Sequence, residues 1–224
     1  MNRSVVWALI LKDWRLQRPA ILVSSAVGAL SLGMFYFRSE VPFVLGAVWF
    51  FVSIIVLGCM LPMANVINER KKQNLAFLMS LPVSAIQYTT SKMISTFGLF
   101  LMPWLALFAA ALGVILGGHV IPHSFIPTVF VLEGFVLMGF CLIAGAAIAG
   151  ETEGWPMAAT LLCNSSYGVG FYLFGRIPEI QRDWQSPVAV WSPIIQRLLI
   201  IEVAVVIFII GLTFFIQSRK RDFV

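Results

Sequence analysis

Six apolar runs, at residues 20–37, 43–64, 93–117, 126–149, 156–174 and 198–217, constrain this chain more than any other feature. Each is close to the length of about 20 residues at which an α-helix crosses the hydrocarbon core of a bilayer. The expected fold class is therefore an all-α integral membrane protein with six transmembrane helices. Composition agrees: 60% of the 224 residues are hydrophobic and 11% charged, against about a quarter charged in an ordinary soluble domain. The net charge of +5 does not point to nucleic acid, because the basic residues sit at the ends of apolar runs and do not cover one face. No internal repeat or low-complexity tract divides the chain, so residues 1–224 read as a single transmembrane domain.

Six crossings put both termini on one side, and lysine and arginine decide which. Arg3, Lys12, Arg15, Arg18, Arg70, Lys71, Lys72, Lys92, Arg219, Lys220 and Arg221 fall on the face shared by the termini and the connection after the second run. Arg38, Arg176, Arg182 and Arg197 fall on the other. Basic residues concentrate on the cytoplasmic side, so both termini are expected there, in the cytoplasmic membrane of a bacterium. The acidic turn Gly150-Glu151-Thr152-Glu153-Gly154 lies on the same face, but acidic residues contribute little to orientation.

Residues 1–18 mix Val5, Val6, Leu9, Ile10 and Trp14 with Arg3, Lys12, Asp13, Arg15 and Arg18 at helical spacing, with Ser4 placed to cap. This pattern predicts a helix lying in the cytoplasmic interface. A signal peptide is the competing reading, but the stretch is long for a charged leader and the run behind it is of spanning length. On the opposite face, residues 175–197 carry Pro178, Pro187 and Pro193 with Trp184 and Trp191. The prolines forbid one continuous helix and tryptophan favours the headgroup level. A pair of short re-entrant helices satisfies both, and a plain surface loop is the alternative. Pro103 is expected to kink the third crossing, and Gly145 to Gly150 and Gly168 to Gly170 to permit close helix approach.

Signals for chemistry in the chain itself are sparse. No lysine follows a glycine, so the phosphate-cradling G-x-x-x-x-G-K-[ST] loop is missing, as are H-E-x-x-H and G-x-S-x-G. Cys59, Cys141 and Cys163 each sit alone in an apolar run and read as small buried hydrophobes. His119 and His123 are four apart, but Pro122 lies between them, which favours ordinary loop histidines over a metal site. No catalytic residue and no metal are expected. Two acids stand out as a substrate path: Glu133 in the fourth run and Glu202 near the start of the sixth, each about 6 to 10 Å deep at 1.5 Å per residue. The structural alternative pairs Glu202 with Arg197 and Glu133 with neighbouring backbone or a histidine.

The most specific stretch runs from Asn65 to Lys92. Glu69, Arg70, Lys71 and Lys72 are followed by Leu75, Leu78 and Met79 at helical spacing, and Leu81-Pro82 closes that turn. Ser84 with Gln87 then forms an S-x-x-Q capping box, so a new helix is expected to start there and continue through Lys92 into the third crossing. A charged loop with an apolar anchor is the plainer reading.

At these residues the chain resembles the permease subunits of ABC-2 type transporters, which commonly show a Glu-Arg stretch after the second crossing, a Leu-Pro-Val-Ser-type corner and a lysine before the third. Here these are Glu69-Arg70-Lys71, Ser80-Leu81-Pro82-Val83-Ser84 and Lys92. Leu11-Lys12-Asp13-Trp14-Arg15 looks like their interfacial connecting helix, and Ser192-Pro193 also matches. The resemblance implies a dimer of permeases, identical or not, with two ATP-binding subunits. It implies a coupling helix within residues 66–84, where Glu69, Arg70, Lys71 and Lys72 meet the ATPase and Leu75, Leu78, Met79 and Pro82 seat and end the helix. ATP and magnesium then belong to the partner, and this chain binds no cofactor and catalyses nothing. Export of a hydrophobic or amphipathic peptide, drug or lipid is the expected function. The alternatives are a haem-export permease of cytochrome c maturation and a membrane assembly factor, immunity protein or channel without an ATPase.

Overall fold

The computed structural model describes residues 3–37, 39–67, 85–118, 121–150 and 152–219, and among them all regular structure is helical. The described residues form seven α-helices, in order: α1 (Arg3–Gly33), α2 (Glu40–Pro62), α3 (Ala85–Gly118), α4 (Ile126–Ala149), α5 (Gly154–Phe174), α6 (Pro178–Trp184) and α7 (Pro193–Arg219). Short 3-10 turns occupy Met34–Tyr36 and His123–Phe125. Among the described residues five stretches are long and apolar enough to cross a membrane: Leu11–Tyr36, Glu40–Ile67, Thr90–Gly117, His123–Ala149 and Pro193–Arg219. The remaining expected crossing is α5, whose 21 residues extend about 31 Å but whose middle, Asn164-Ser165-Ser166-Tyr167, makes it less apolar than the others.

Three boundaries differ from the sequence reading. The N-terminal interfacial helix is not a separate element, because α1 runs unbroken for 31 residues with Pro19 inside it. Proline withholds one N–H from the ladder without dictating a break, and Asp13 is drawn into the bundle, as described below. The polar connection after α2 begins later than Asn65. Pro62 ends α2, a π-helical turn takes up Met63–Ile67, and Asn65, Val66 and Ile67 are buried. On the far side, residues 175–197 hold a seven-residue helix, α6, and the first turn of α7. Residues 187–192 are not helical, and α7 starts at Pro193, five residues earlier than the apolar run. Proline suits such a start because the first helical N–H has no partner to lose.

The centre of the bundle is aromatic and aliphatic. Phe50, Ile54, Leu57 and Leu61 repeat along one stripe of α2 and meet Phe100, Leu107 and Ile115 of α3 and Val136, Phe140 and Ile143 of α4. Phe100 stacks on Phe140 with ring centres 3.9 Å apart and planes 11° from parallel. Close approach of α1 relies on Gly28, where an added Cβ would come within 2.8 Å of Ser53 Oγ and Leu107 Cδ1. By contrast Leu22, Leu30, Val48, Trp49, Ile200, Ile207 and Phe208 are exposed, as lipid-facing side chains are.

The two ends of the bundle are finished differently. At one, Val66, Met93, Ala147 and Ile148 form a small apolar cluster and the Gln217 amide donates to the Ile148 carbonyl, joining the end of α2, the start of α3 and the ends of α4 and α7. At the other, Ile180 and Ile195 pack with Val131 and Phe174. There Trp184 stacks on Phe125, and its Nε1–H donates to Thr128 Oγ1 at 2.8 Å.

Phe100→Ala is expected to lower stability by about 3–5 kcal/mol, the usual cost of emptying a buried aromatic site. Leu30→Ala, at a lipid-exposed position, is expected to stay within about 0.5 kcal/mol. Unfolding of purified protein in detergent, followed by heating or denaturant, checks the contrast.

Candidate functional site

The first turns of α3 bury an unusual number of polar groups for a membrane helix: Ser91, Lys92, Ser95 and Thr96 are each at most 2% exposed. An ammonium group so placed is expensive unless it is paired. Its partner is Asp13 of α1, 79 positions earlier in the chain. Lys92 Nζ donates to Asp13 Oδ2 at 2.9 Å and to Oδ1 at 3.2 Å, and Ser95 Oγ–H donates to Oδ2 at 2.7 Å. Lys12, half-exposed at the rim, lies 3.7 Å from Asp13 Oδ1. A bidentate ammonium and a hydroxyl satisfy the carboxylate well enough to hold the charges in the interior, where a broken pair is costly.

The helical pattern explains why Asp13 points inward. At 100° per residue, Asp13 shares a face of α1 with Ala20, Ser24, Gly28 and Ser31. Small residues on one face let a neighbouring helix approach closely, and that face is the one turned toward the bundle, with Gly28 and Ser31 buried. The acid is therefore carried inside by the same stripe that packs α1.

The cluster stands beside the connection between α2 and α3. On one side of that connection the π turn ends at Ile67, with Asn65 buried and its Nδ2 unpartnered. On the other, α3 begins at Ala85 and continues for 34 residues through Lys92 and Pro103 without interruption. The continuation through Lys92 into the third crossing is as the sequence reading expected. Ser84 itself and the eight residues read as ATPase-coupling, Glu69, Arg70, Lys71, Lys72, Leu75, Leu78, Met79 and Pro82, lie outside the described residues. So do His119 and Glu151.

Glu202 packs against the helix that carries Glu133, which their sequence positions did not announce. The Glu202 carboxylate lies directly against Gly134, the residue after Glu133, at the packed face between α4 and α7. Because α7 starts at Pro193, Glu202 lies about 14 Å along the helix from its start. Glu133 is 1% exposed with both carboxyl oxygens unpartnered, and Glu202 is 8% exposed with Oε2 unpartnered. No ion pair to Arg197 holds Glu202 among the described residues. The Trp104 indole of α3 faces Glu133, yet its N–H also lacks a partner within hydrogen-bonding geometry. The described residues contain no group of three or more His, Cys, Asp or Glu that can hold a metal, and Cys59, Cys141 and Cys163 are unbridged.

The arrangement is that of a multi-pass membrane protein with a buried polar joint at one end and unpartnered acids deeper in the span. A family profile described as "ABC-2 family transporter protein" matches residues 8–221. The chain therefore belongs to the ABC-2 transporter family and is a permease of an ABC-type transporter, a class that works with an ABC ATP-binding subunit. Neither a curated protein nor a solved structure matches it.

Lys92→Ala alone is expected to cost about 3–5 kcal/mol, because Asp13 is then a buried charge without its counter-ion. Adding Asp13→Ala is expected to recover most of that loss. Yield and thermal stability of the single and double variants measure the effect, and additive losses would show that the two residues do not act as a pair.

Proposed function

We propose that the chain is the membrane-spanning subunit of an ATP-driven exporter in a bacterial cytoplasmic membrane, moved by a separate ATPase through residues 66–84. The observation that carries this reading is the continuity of α3, which starts directly after residues 68–84 and enters the bundle as one helix. A displacement applied at the connection has a rigid path into the membrane. Membership of the ABC-2 family supplies the kind of motor that applies it. In this reading the chain hydrolyses no nucleotide itself, and ATP and magnesium are held by the partner.

The topology follows from α5 as the sixth crossing. Six spans place both termini on one side, and the tally of lysine and arginine makes that side cytoplasmic. Lys92 is neutralised by Asp13 inside the bundle; setting it aside still leaves ten basic residues against four. Two permeases and two ATPase subunits form the working unit. ATP-driven closure of the ATPases presses on Glu69, Arg70, Lys71 and Lys72, while Leu75, Leu78 and Met79 seat the helix that Pro82 ends. Glu133 and Glu202, buried and unpartnered, supply the polar points of the substrate path, and the apolar bundle around them suits a hydrophobic or amphipathic cargo.

Gentle solubilisation is expected to yield a complex with an ATP-binding chain in equal number. A complex without one removes the motor and favours an assembly factor or channel. Charge reversal at Glu69 and Arg70 is expected to abolish the response of ATP hydrolysis to cargo while membrane insertion persists; an unaltered response excludes this segment as the coupling helix. For the path, hydrogen bonds to charged groups are each worth about 1.5–3 kcal/mol. Glu133→Gln is therefore expected to raise by about tenfold or more the concentration of an amphipathic peptide, drug or lipid that half-stimulates hydrolysis. An unchanged response takes Glu133 off the path.

A further inference from the structure

Residues 11–20 of α1 bury a single side chain. Between Leu11 and Ala20 the buried side chain is Asp13; Trp14 and Gln17 are half-buried, and Leu11, Lys12, Arg15, Leu16, Arg18 and Pro19 are exposed. Continuous burial along α1 resumes only beyond Pro19, at Ile21, Gly28, Ser31 and Leu32. Proline removes the hydrogen bond to the carbonyl four residues back, which is where long helices bend. Residues 11–18 are thus followed by a proline and carry a buried ionic attachment, to Lys92 and Ser95 of α3.

Lys92 lies seven residues inside α3, about 10 Å from its start at Ala85. It is thus close to the point where a push on residues 68–84 enters the bundle. A charge-assisted bidentate contact in a low-dielectric interior resists sliding far better than an apolar contact, because any separation leaves two ions unpaired.

We infer that Asp13, Lys92 and Ser95 form the joint that makes the first half of α1 travel with α3, so that one push on residues 68–84 moves two helices together. The inference rests on the exporter reading above and adds positioning residues to it, on the N-terminal helix as well as on α3. Asp13 touches no substrate in this role. Its part is to keep α1 registered on α3 through the stroke, with Pro19 absorbing the change in angle.

The test uses the whole complex with its ATPase, in lipid nanodiscs, with the native cysteines replaced by alanine. Spin labels are placed on Leu16 of α1, Ile94 of α3 and Phe215 of α7, all exposed, and pairs are measured before and after trapping with ATP and vanadate. In the native pair the Ile94–Phe215 distance is expected to shift by a few ångströms, the scale on which packed helices slide, while Leu16–Ile94 stays fixed. In the Asp13→Ala/Lys92→Ala variant, which removes both ions of the pair, Leu16–Ile94 is expected to shift or broaden on trapping. A Leu16–Ile94 distance that stays as fixed in the variant as in the native pair overturns the joint, and so does one that changes on trapping in the native protein. Absence of any Ile94–Phe215 shift, or of a co-purifying ATPase, instead defeats the exporter reading on which the inference stands.

Discussion

The interaction on which the rest depends is the burial of Lys92 against Asp13. A lysine two turns into a membrane helix is tolerated only if an acid is brought to it, and the acid comes from the far end of the chain's order, on the first helix. That requirement fixes α1 against α3. With Gly28 fitted against Ser53 and Leu107, it also fixes the depth at which α1 sits. Hydrocarbon offers helices little reason to associate beyond packing and polar contacts, so one satisfied buried pair weighs more here than it would at a soluble surface.

Around that joint the bundle separates its tasks. The middle is packed with phenylalanine and aliphatic side chains, stacked where α3 and α4 meet at Phe100 and Phe140. The far end is closed by α6, pinned by Trp184 to Thr128 and Phe125. The near end keeps its polar groups inside, with Asn65 on a π-helical turn and Ser91, Lys92, Ser95 and Thr96 on α3. Helical irregularities of this kind often sit where a helix must change its path, and this one directly precedes the connection through which the ATPase is proposed to act.

Much of the architecture was legible from apolar run length, because a bilayer sets that length and leaves helices as the only solution. That one helix runs through Lys92 into the third crossing was expected from the local S-x-x-Q pattern, and α3 makes that run. What was not legible depended on distant partners. Residues 1–18 carry an interfacial pattern, and nothing local says that Asp13 will meet Lys92, although its place on the small-residue face of α1 was a usable sign. Glu202 was read as near the start of its helix because the apolar run starts at Leu198, whereas α7 starts at Pro193 and Glu202 packs against Gly134 of α4. Asn65 read as the start of a loop because asparagine is polar, yet it is buried on the π-helical turn that follows α2.

The central claim is that residues 68–84 face an ATPase on the cytoplasmic side. Its most direct measurement is cross-linking of membrane vesicles with a short amine-reactive reagent, followed by mass spectrometry of peptides containing Lys71 and Lys72. The account predicts cross-links from these lysines to the ATP-binding subunit, lost when both are replaced by arginine. Cross-links to a protein on the outer side, or an ATPase bound to the complex with no link to this segment, would contradict it.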